Sequence, residues 1–89
     1  MIRQPITIIN KLGLHARAAA KFVRLASQFS SDIKLVRSST EINGKSILGV
    51  MMLAAAKGTE LELIADGADE DKAMAALETL INNRFDEIE

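Results

Sequence analysis

One histidine, His15, stands in the stretch Gly13–Arg17 and is the only imidazole of the chain. The glycine allows a sharp bend before it, and an alanine-rich run that favours a helix follows it. Its ring would then lie at a helix N-terminus, where unpaired backbone N–H groups bind anions. Arg17 adds a fixed positive charge two residues later. These residues predict a site for transient negative charge, and the alternative is a structural histidine that caps the helix.

Several other chemistries are excluded for this histidine. A serine hydrolase needs a nucleophile elbow and an orienting acid, and neither is visible. Gly44-Lys45-Ser46 ends like a phosphate-binding P-loop but lacks the upstream glycine at the required spacing. The chain has one histidine and no cysteine, and it shows no cofactor-binding loop, so we expect neither metal nor cofactor. His15 is therefore interpreted as a nucleophile that receives a group.

The charges of the chain are segregated, although its net charge is only −1. Residues 3–24 hold basic residues and no acid, whereas residues 60–89 hold most of the acids. This distribution fits an acidic protein partner better than a nucleic acid, whose binders are usually strongly basic or carry stacking aromatics. A positive ridge at helical spacing begins beside the histidine and consists of Arg17, Lys21 and Arg24. A docking surface and an ordinary solvated helix face explain this ridge about equally well.

Apolar and polar residues alternate in the four segments predicted to be strands, which are residues 2–9, 33–37, 40–43 and 59–66. Pro5 lacks a ladder donor and indicates that the first strand lies at a sheet edge. A helical period runs from Ala16 to about Gln28. Asp69 can cap a further helix near the end of the chain. The tail after it, residues 84–89, is acidic, and we expect it to be frayed.

Another predicted helix follows Ser46 and spans residues 47–56. Ser46 is a typical N-cap residue, because its hydroxyl can accept from the first free N–H groups. The helix is apolar nearly all round, and a small two-layer domain cannot bury every side of it. The side chains expected to face the core are Val50, Leu53 and Ala54. The remaining large side chains form an exposed apolar surface, the contact patch, which consists of Ile47, Leu48 and Met51.

The predicted order β-α-β-β-α-β-α indicates an α+β fold, an open-faced two-layer sandwich. In it, a four-stranded antiparallel sheet is covered on one face by three helices. The 89 residues suffice for one domain, which spans residues 1–89. The start of the chain lacks the apolar run of a signal peptide, and no apolar span reaches membrane length. We therefore expect a soluble cytoplasmic protein.

Two motifs resemble those of the HPr family, the histidine-containing phosphocarriers of the bacterial phosphoenolpyruvate-dependent phosphotransferase system. The first is Leu12-Gly13-Leu14-His15-Ala16-Arg17 before the alanine-rich helix, and the second is Gly44-Lys45-Ser46 leading into Ile47-Leu48. Length and element order match as well, so the resemblance covers the whole chain. The lead-in Asn10-Lys11-Leu12-Gly13 and the tail Phe85-Asp86-Glu87 look most like proteobacterial members, including the NPr proteins of the nitrogen-related branch.

The resemblance implies a monomeric phosphocarrier with a covalent phosphohistidine, rather than an enzyme. His15 would be phosphorylated at Nδ1 by enzyme I, which takes the group from phosphoenolpyruvate, and would pass it to a histidine of an A-type enzyme II domain. Arg17 would bind the phosphoryl oxygens, and the contact patch, with Lys21 and Arg24, would dock both partners. Ser46 matches a site that HPr kinase/phosphorylase modifies in many lineages, where a phosphate would weaken enzyme I docking.

Ala18 departs from the family pattern, which usually has proline at this position. Proline in the first helical turn loses no hydrogen bond and makes the turn rigid, whereas alanine keeps the helix without that rigidity. The departure favours a regulatory phosphorelay over sugar uptake as the main role. Two alternatives stay open. One is a regulatory binding protein controlled by phosphorylation of Ser46, and the other is a generic α+β ligand-binding domain in which His15 only caps a helix.

Overall fold

The computed structural model describes residues 1–88, where strands and helices follow the predicted order. In chain order the elements are β1 (Ile2–Thr7), α1 (Ala16–Ala26), β2 (Asp32–Arg37), β3 (Thr40–Asn43), α2 (Ile47–Met52), β4 (Glu60–Asp66), α3 (Glu70–Asn82) and a C-terminal 3₁₀ turn (Arg84–Asp86). The helices cover one face of the sheet, so the predicted open-faced α+β sandwich is confirmed. No helix in the described range is long and apolar enough to cross a membrane.

The strands form an antiparallel sheet in the order β1-β4-β2-β3. β1 lies at one edge, and its Pro5 pairs in register with Glu62 of β4. The prediction of an edge strand, made from the missing proline N–H, is therefore confirmed. On the face away from the helices, ion pairs join Arg3 to Glu62 and Lys34 to Glu41. These exposed pairs contribute little to stability, so the sheet depends on its covered face.

The core lies between the sheet and the helices. The sheet side is formed by alternate residues of the strands, namely Ile6, Ile33, Leu35, Leu61, Leu63 and Ala65. The side chains of α1 that are buried against it are Ala18, Ala19, Phe22 and Ala26. This stripe confirms the predicted helical period, with Val23 half-buried at its margin. Burial of each large apolar side chain stabilises the fold by roughly 1.5–3 kcal/mol. This burial fixes the orientation of α1 and, with it, the position of His15 at its start.

α2 is shorter than predicted, because it ends at Met52 rather than four residues later. Ala54 has a φ of 50° and is exposed, so its expected place in the core is wrong, whereas Val50 and Leu53 are buried as predicted. The guanidinium of Arg37 donates to the carbonyl oxygens of Leu53 and Ala54 at 2.7 and 3.1 Å. These carbonyl groups thereby find partners outside the helix, and the chain turns away.

Asp69 stands at the N-cap position of α3, but its side chain makes no capping hydrogen bond, so the predicted role is wrong. Its carboxylate instead accepts from the Ser31 hydroxyl and from the backbone N–H groups of Ser30 and Ser31, the latter two at 2.9 and 3.0 Å. The hydroxyl of Ser31, followed by the N–H of Ser30, lowers the pKa of Asp69 from 3.8 to about 2. Asp69 therefore ties the start of β2 to the start of α3.

The tail after α3 folds back on the protein, so the prediction of a frayed end is wrong for most of it. Arg84, Phe85 and Asp86 have φ values of 56°, 53° and 64°, in the left-handed region, and they reverse the chain direction. Phe85 is fully buried where this turn packs on α1 and α3. The ammonium group of Lys21 donates to the Phe85 carbonyl at 2.9 Å. Glu89, part of the same prediction, lies outside the described residues.

Candidate functional site

The turn before the histidine is shaped by a close approach of two backbone segments. Gly13 has a φ of 67°, and a Cβ at this position would lie 2.4 Å from the carbonyl oxygen of Ala55. Only glycine fits both the left-handed backbone and this contact. The next residue, Leu14, is buried, and its N–H donates to the same carbonyl at 2.9 Å. The segment after α2 thus supports the loop that leads into α1.

His15 is the N-cap residue of α1 and has an extended backbone, with φ −73° and ψ 178°. Its Nδ1 accepts a hydrogen bond from the backbone N–H of Arg17 at 3.3 Å. The first bond within the helix runs from the N–H of Ala19 to the His15 carbonyl at 2.8 Å, so the preceding N–H groups have no helical partner. The first turn of α1 also has no acidic residue. The surroundings of Nδ1 are therefore favourable for an anion.

The second ring nitrogen of His15 contacts a residue that the sequence analysis missed. Nε2 is hydrogen-bonded to Oε2 of Glu87, which lies 72 positions later in the chain. The other carboxylate oxygen of Glu87 accepts from Nδ2 of buried Asn10 at 2.9 Å. Nδ2 of Asn10 also donates to the carbonyl of Gly13 at 2.8 Å. A single aromatic residue in the polar tail, Phe85, was the one sequence signal that this tail packs against the core.

The two hydrogen bonds of His15 determine which ring nitrogen carries the proton. A carboxylate can only accept, so Nε2 must be protonated, while Nδ1 accepts from a backbone N–H and holds a lone pair in the neutral ring. The His15 side chain is 28% exposed. The site therefore presents Nδ1 of the imidazole, rather than Nε2, to the N-terminus of α1.

Glu87 is a carboxylate at neutral pH. Burial raises its pKa, but hydrogen bonds from Asn10 and His15, followed by the electrostatic attraction of His15 and Lys21, outweigh that effect, and the pKa of Glu87 lies below its ordinary value. The side chain is only 15% exposed, so its two hydrogen bonds are partly shielded from water. Both oxygens of this carboxylate are thus committed to the histidine site.

An open cavity of about 630 Å³ is lined by Arg17 and Glu87, both hydrogen-bonded to His15, but not by His15 itself. Lys11 and Lys21 also line part of it, and Arg17 is exposed, so a positive side chain is available to an incoming anion. The side chains of the predicted positive ridge differ in their contacts. The ammonium group of Lys21 is hydrogen-bonded to the tail, whereas Arg24 is exposed on α1. Among residues 1–88 no cluster of three or more side chains suits a metal ion.

Ser46 is the N-cap residue of α2, and its Oγ accepts from the N–H of Gly49 at 3.1 Å, which confirms the predicted cap. The contact patch lies in the helix that follows. Its exposed fractions are 41% for Ile47, 70% for Leu48 and 39% for Met51. Met52 is 80% exposed and enlarges this apolar surface. This contribution was not predicted, because Met52 had been placed neither in the core nor in the contact patch.

Ala18, where the family resemblance leads to an expectation of proline, is fully buried in the first turn of α1. Its N–H belongs to the group that a helix leaves unpaired, so alanine in place of proline adds no hydrogen bond within the helix. The capping bond of His15 forms with alanine at this position. The geometry of the turn therefore does not require the proline ring.

Comparisons with known proteins agree with this geometry. A family model described as "PTS HPr component phosphorylation site" matches residues 2–83. The chain is 60% identical to the phosphocarrier protein HPr of Neisseria meningitidis over 87 residues, which cover 98% of both proteins. Two crystal structures from Thermoanaerobacter tengcongensis, both 46% identical in sequence, have a similar fold. HPr-C-His matches with a TM-score of 0.94, and the match covers 98% of both chains. An HPr dimer matches with a TM-score of 0.79, and the match covers 98% of this chain and 100% of the other. The chain therefore belongs to the HPr family, the phosphocarrier proteins of the phosphotransferase system.

Proposed function

We propose that His15 carries the phosphoryl group of this phosphocarrier, on its Nδ1 atom. The observation that supports this most directly is the orientation of the ring, whose Nδ1 faces the N-terminus of α1 while Nε2 contacts Glu87. A phosphoryl group on Nδ1 would lie beside the unpaired N–H groups of the first turn, which stabilise an anion without an additional cation.

In the proposed transfer, Nδ1 of His15 attacks the phosphorus of a phosphohistidine on enzyme I, which has taken the group from phosphoenolpyruvate. The new P–N bond forms as the donor's P–N bond breaks, and the electron pair of the broken bond stays on the donor imidazole. Nδ1 has no proton to lose, but it must release its hydrogen bond from the Arg17 N–H before it attacks, while the proton on Nε2 stays in contact with Glu87. A histidine of an A-type enzyme II domain then takes the group from His15 by the same chemistry.

Arg17 is proposed to bind the phosphoryl oxygens during both transfers. Its side chain is exposed, and Arg17 lines the open cavity together with Glu87. A guanidinium group offers parallel N–H donors that match two phosphoryl oxygens, and its charge opposes the negative charge that spreads over them in the transition state. Positioning and electrostatic stabilisation are the main contributions that a protein makes to phosphoryl transfer.

Docking of both partners is assigned to the contact patch with the positive ridge beside it. Ile47, Leu48 and Met51 are exposed apolar side chains on α2, which packs against α1, the helix of the ridge. Arg24 would pair with acidic groups of a partner. Lys21 would contribute its charge rather than a free donor, because its ammonium group already contacts the tail.

A monomer in the cytoplasm is part of the same proposal. The hydrogen bonds that orient His15 all come from one chain, so the site needs no second copy. Phosphoenolpyruvate, the proposed source of the phosphoryl group, is a metabolite of the cell interior. Since one relative has been crystallised as a dimer, analytical ultracentrifugation is the measurement that tests the monomer.

Ser46 is proposed as a regulatory phosphorylation site that acts alongside the carrier function. Its hydroxyl caps α2 directly before the first residue of the contact patch, Ile47. A phosphate added there by HPr kinase/phosphorylase would be tolerated by the helix N-terminus, but it would place negative charge beside an apolar docking surface. Incubation with the kinase and ATP tests this: uptake that persists in Ser46→Ala would exclude Ser46.

Phosphorylation with enzyme I and phosphoenolpyruvate tests the carrier assignment. We expect wild-type protein to take up one acid-labile phosphate, with the phosphorus bonded to Nδ1 by ³¹P and ¹⁵N NMR. His15→Ala should take up none while its circular dichroism spectrum stays that of the folded protein. Absence of phosphate on the wild type, or undiminished uptake by His15→Ala, would refute the assignment.

A further inference from the structure

The carboxylate of Glu87 joins two parts of the site that lie far apart in sequence. Oε2 accepts from Nε2 of His15, and Oε1 accepts from Nδ2 of Asn10 at 2.9 Å. Both of these groups can only donate toward Glu87, since a carboxylate has no proton to give. The carboxylate is therefore a double acceptor, and no neutral side chain of the same shape reproduces that property.

Two anchors hold Glu87 in this position. On one side, Asn10 is fully buried and its Nδ2 also donates to the Gly13 carbonyl at 2.8 Å, so its amide cannot turn round without losing that bond. On the other side, Phe85 is fully buried in the core and its carbonyl accepts from Lys21. The tail is thus fixed two residues before Glu87, and the partner of Glu87 is fixed by the turn before His15.

We propose that Glu87 is a positioning residue for phosphoryl transfer through His15, a role that rests on the proposed function of that histidine. By accepting from Nε2, it keeps the ring proton there and leaves on Nδ1 the lone pair that acts as the nucleophile once the hydrogen bond from the Arg17 N–H is released. The other neutral tautomer is opposed at both ends of the ring. It would place the Nε2 lone pair against a carboxylate, and the N–H of Nδ1 against the N–H of Arg17.

Substitution by glutamine separates this role from simple packing. In Glu87→Gln, the amide has one acceptor and one donor end. If its oxygen accepts from Asn10, its NH₂ group faces Nε2 of His15, and the ring must move its proton to Nδ1 to provide an acceptor. Glu87→Ala removes the hydrogen-bond partner of Nε2 altogether, so that both neutral tautomers of His15 can be populated. The isosteric glutamine should therefore impair the nucleophile more than alanine does, which is the reverse of the order expected for a packing role.

The test combines a spectroscopic measurement with a rate. Long-range ¹H–¹⁵N NMR of the unphosphorylated protein, at alkaline pH where the ring is neutral, reports which nitrogen is protonated. Stopped-flow or rapid-quench phosphorylation by phosphorylated enzyme I reports the transfer rate. We expect the Nε2–H form in wild type, a mixture in Glu87→Ala, and mainly the Nδ1–H form in Glu87→Gln. The glutamine variant should transfer about tenfold more slowly than wild type, the effect of losing one hydrogen bond to a charged group.

Asp86→Asn is the matched control, because it removes the neighbouring charge of the same tail. The Asp86 carboxylate accepts from Asn83 at 2.7 Å and lies 4.0 Å from the Lys21 ammonium group, and neither contact involves the imidazole. We expect it to keep the wild-type tautomer, which is the readout that this control serves. An Nε2–H ring and a wild-type rate in Glu87→Gln would overturn the positioning role, and so would an alanine variant slower than the glutamine variant. A wild type that takes up no phosphate would instead refute the proposed function, and the positioning role with it.

Discussion

Truncation of Phe85 tests the unexpected docking of the C-terminal tail. The side chain is fully buried, and the turn that carries it packs on α1 and α3. Phe85→Ala truncates the one buried apolar side chain of residues 84–88. The left-handed backbone at this residue, with a φ of 53°, is retained only while that burial offsets its strain.

The expected loss follows from the burial. Replacing a buried phenylalanine by alanine costs about 3–5 kcal/mol in a rigid core. Because the site lies near the end of the chain, the tail can detach instead of leaving a cavity, and we expect the lower end, about 3 kcal/mol. For a domain of this size each kcal/mol shifts the melting temperature by roughly 4–8 °C, so Tm should fall by about 12 °C or more.

Urea unfolding followed by far-ultraviolet circular dichroism measures this loss, since the chain has no tryptophan or tyrosine for fluorescence. Ile88→Ala is the matched control, because Ile88 is 97% exposed in the same tail and its truncation should change stability by less than about 0.5 kcal/mol. If Phe85→Ala loses less than about 1 kcal/mol with an unchanged m value, the tail is not docked in solution and the reasoning is refuted.

Three further predictions concern the site and its support. Arg17→Ala should slow phosphorylation by enzyme I about 10- to 100-fold, the range for a lost charge-assisted hydrogen bond, and a large fall in Tm would show that Arg17 is structural instead. Met51→Glu should weaken enzyme I binding about tenfold or more by calorimetry, and unchanged affinity would remove Met51 from the docking surface. Asp69 has a pKa of about 2 when folded and 3.8 ordinarily, so its stabilising effect is present above about pH 4 and is lost as pH falls toward 2. Asp69→Asn should therefore melt below wild type at pH 7, with a gap that closes through this range; a gap independent of pH would contradict the stated cause.

The elements with a clear period could be predicted from the sequence. The edge position of β1 followed from the missing N–H of Pro5, and the start of α2 followed from Ser46, whose side chain bonds three residues ahead. These signals act within one or two turns of chain, so neighbouring residues determine them. The motif around His15 is local in the same way, because the N-cap bond to Arg17 spans only two residues.

Two local predictions were wrong where residues distant in the sequence bind the same groups. α2 ends early because Arg37, on β2, binds the carbonyl groups of Leu53 and Ala54. Asp69 does not cap α3 because Ser30 and Ser31, brought beside it by the fold, offer three donors to its carboxylate. In each case a local preference of about 1 kcal/mol competed with several hydrogen bonds formed only in the folded protein.

For the histidine itself, the sequence alone determined the residue, the glycine turn before it and the helix that begins there. It also determined the family, since these motifs and their spacing lie in short continuous segments. Only the tertiary structure decided the hydrogen-bond partners of the imidazole. Glu87 lies 72 positions from His15, and the burial of Phe85 in the core fixes the tail that brings it to Nε2, the contact on which the proposed positioning role rests. Hydrophobic burial does not depend on how far apart two residues lie in the sequence. Burial of Phe85 therefore brings to the site a tail whose polar composition predicts a frayed end.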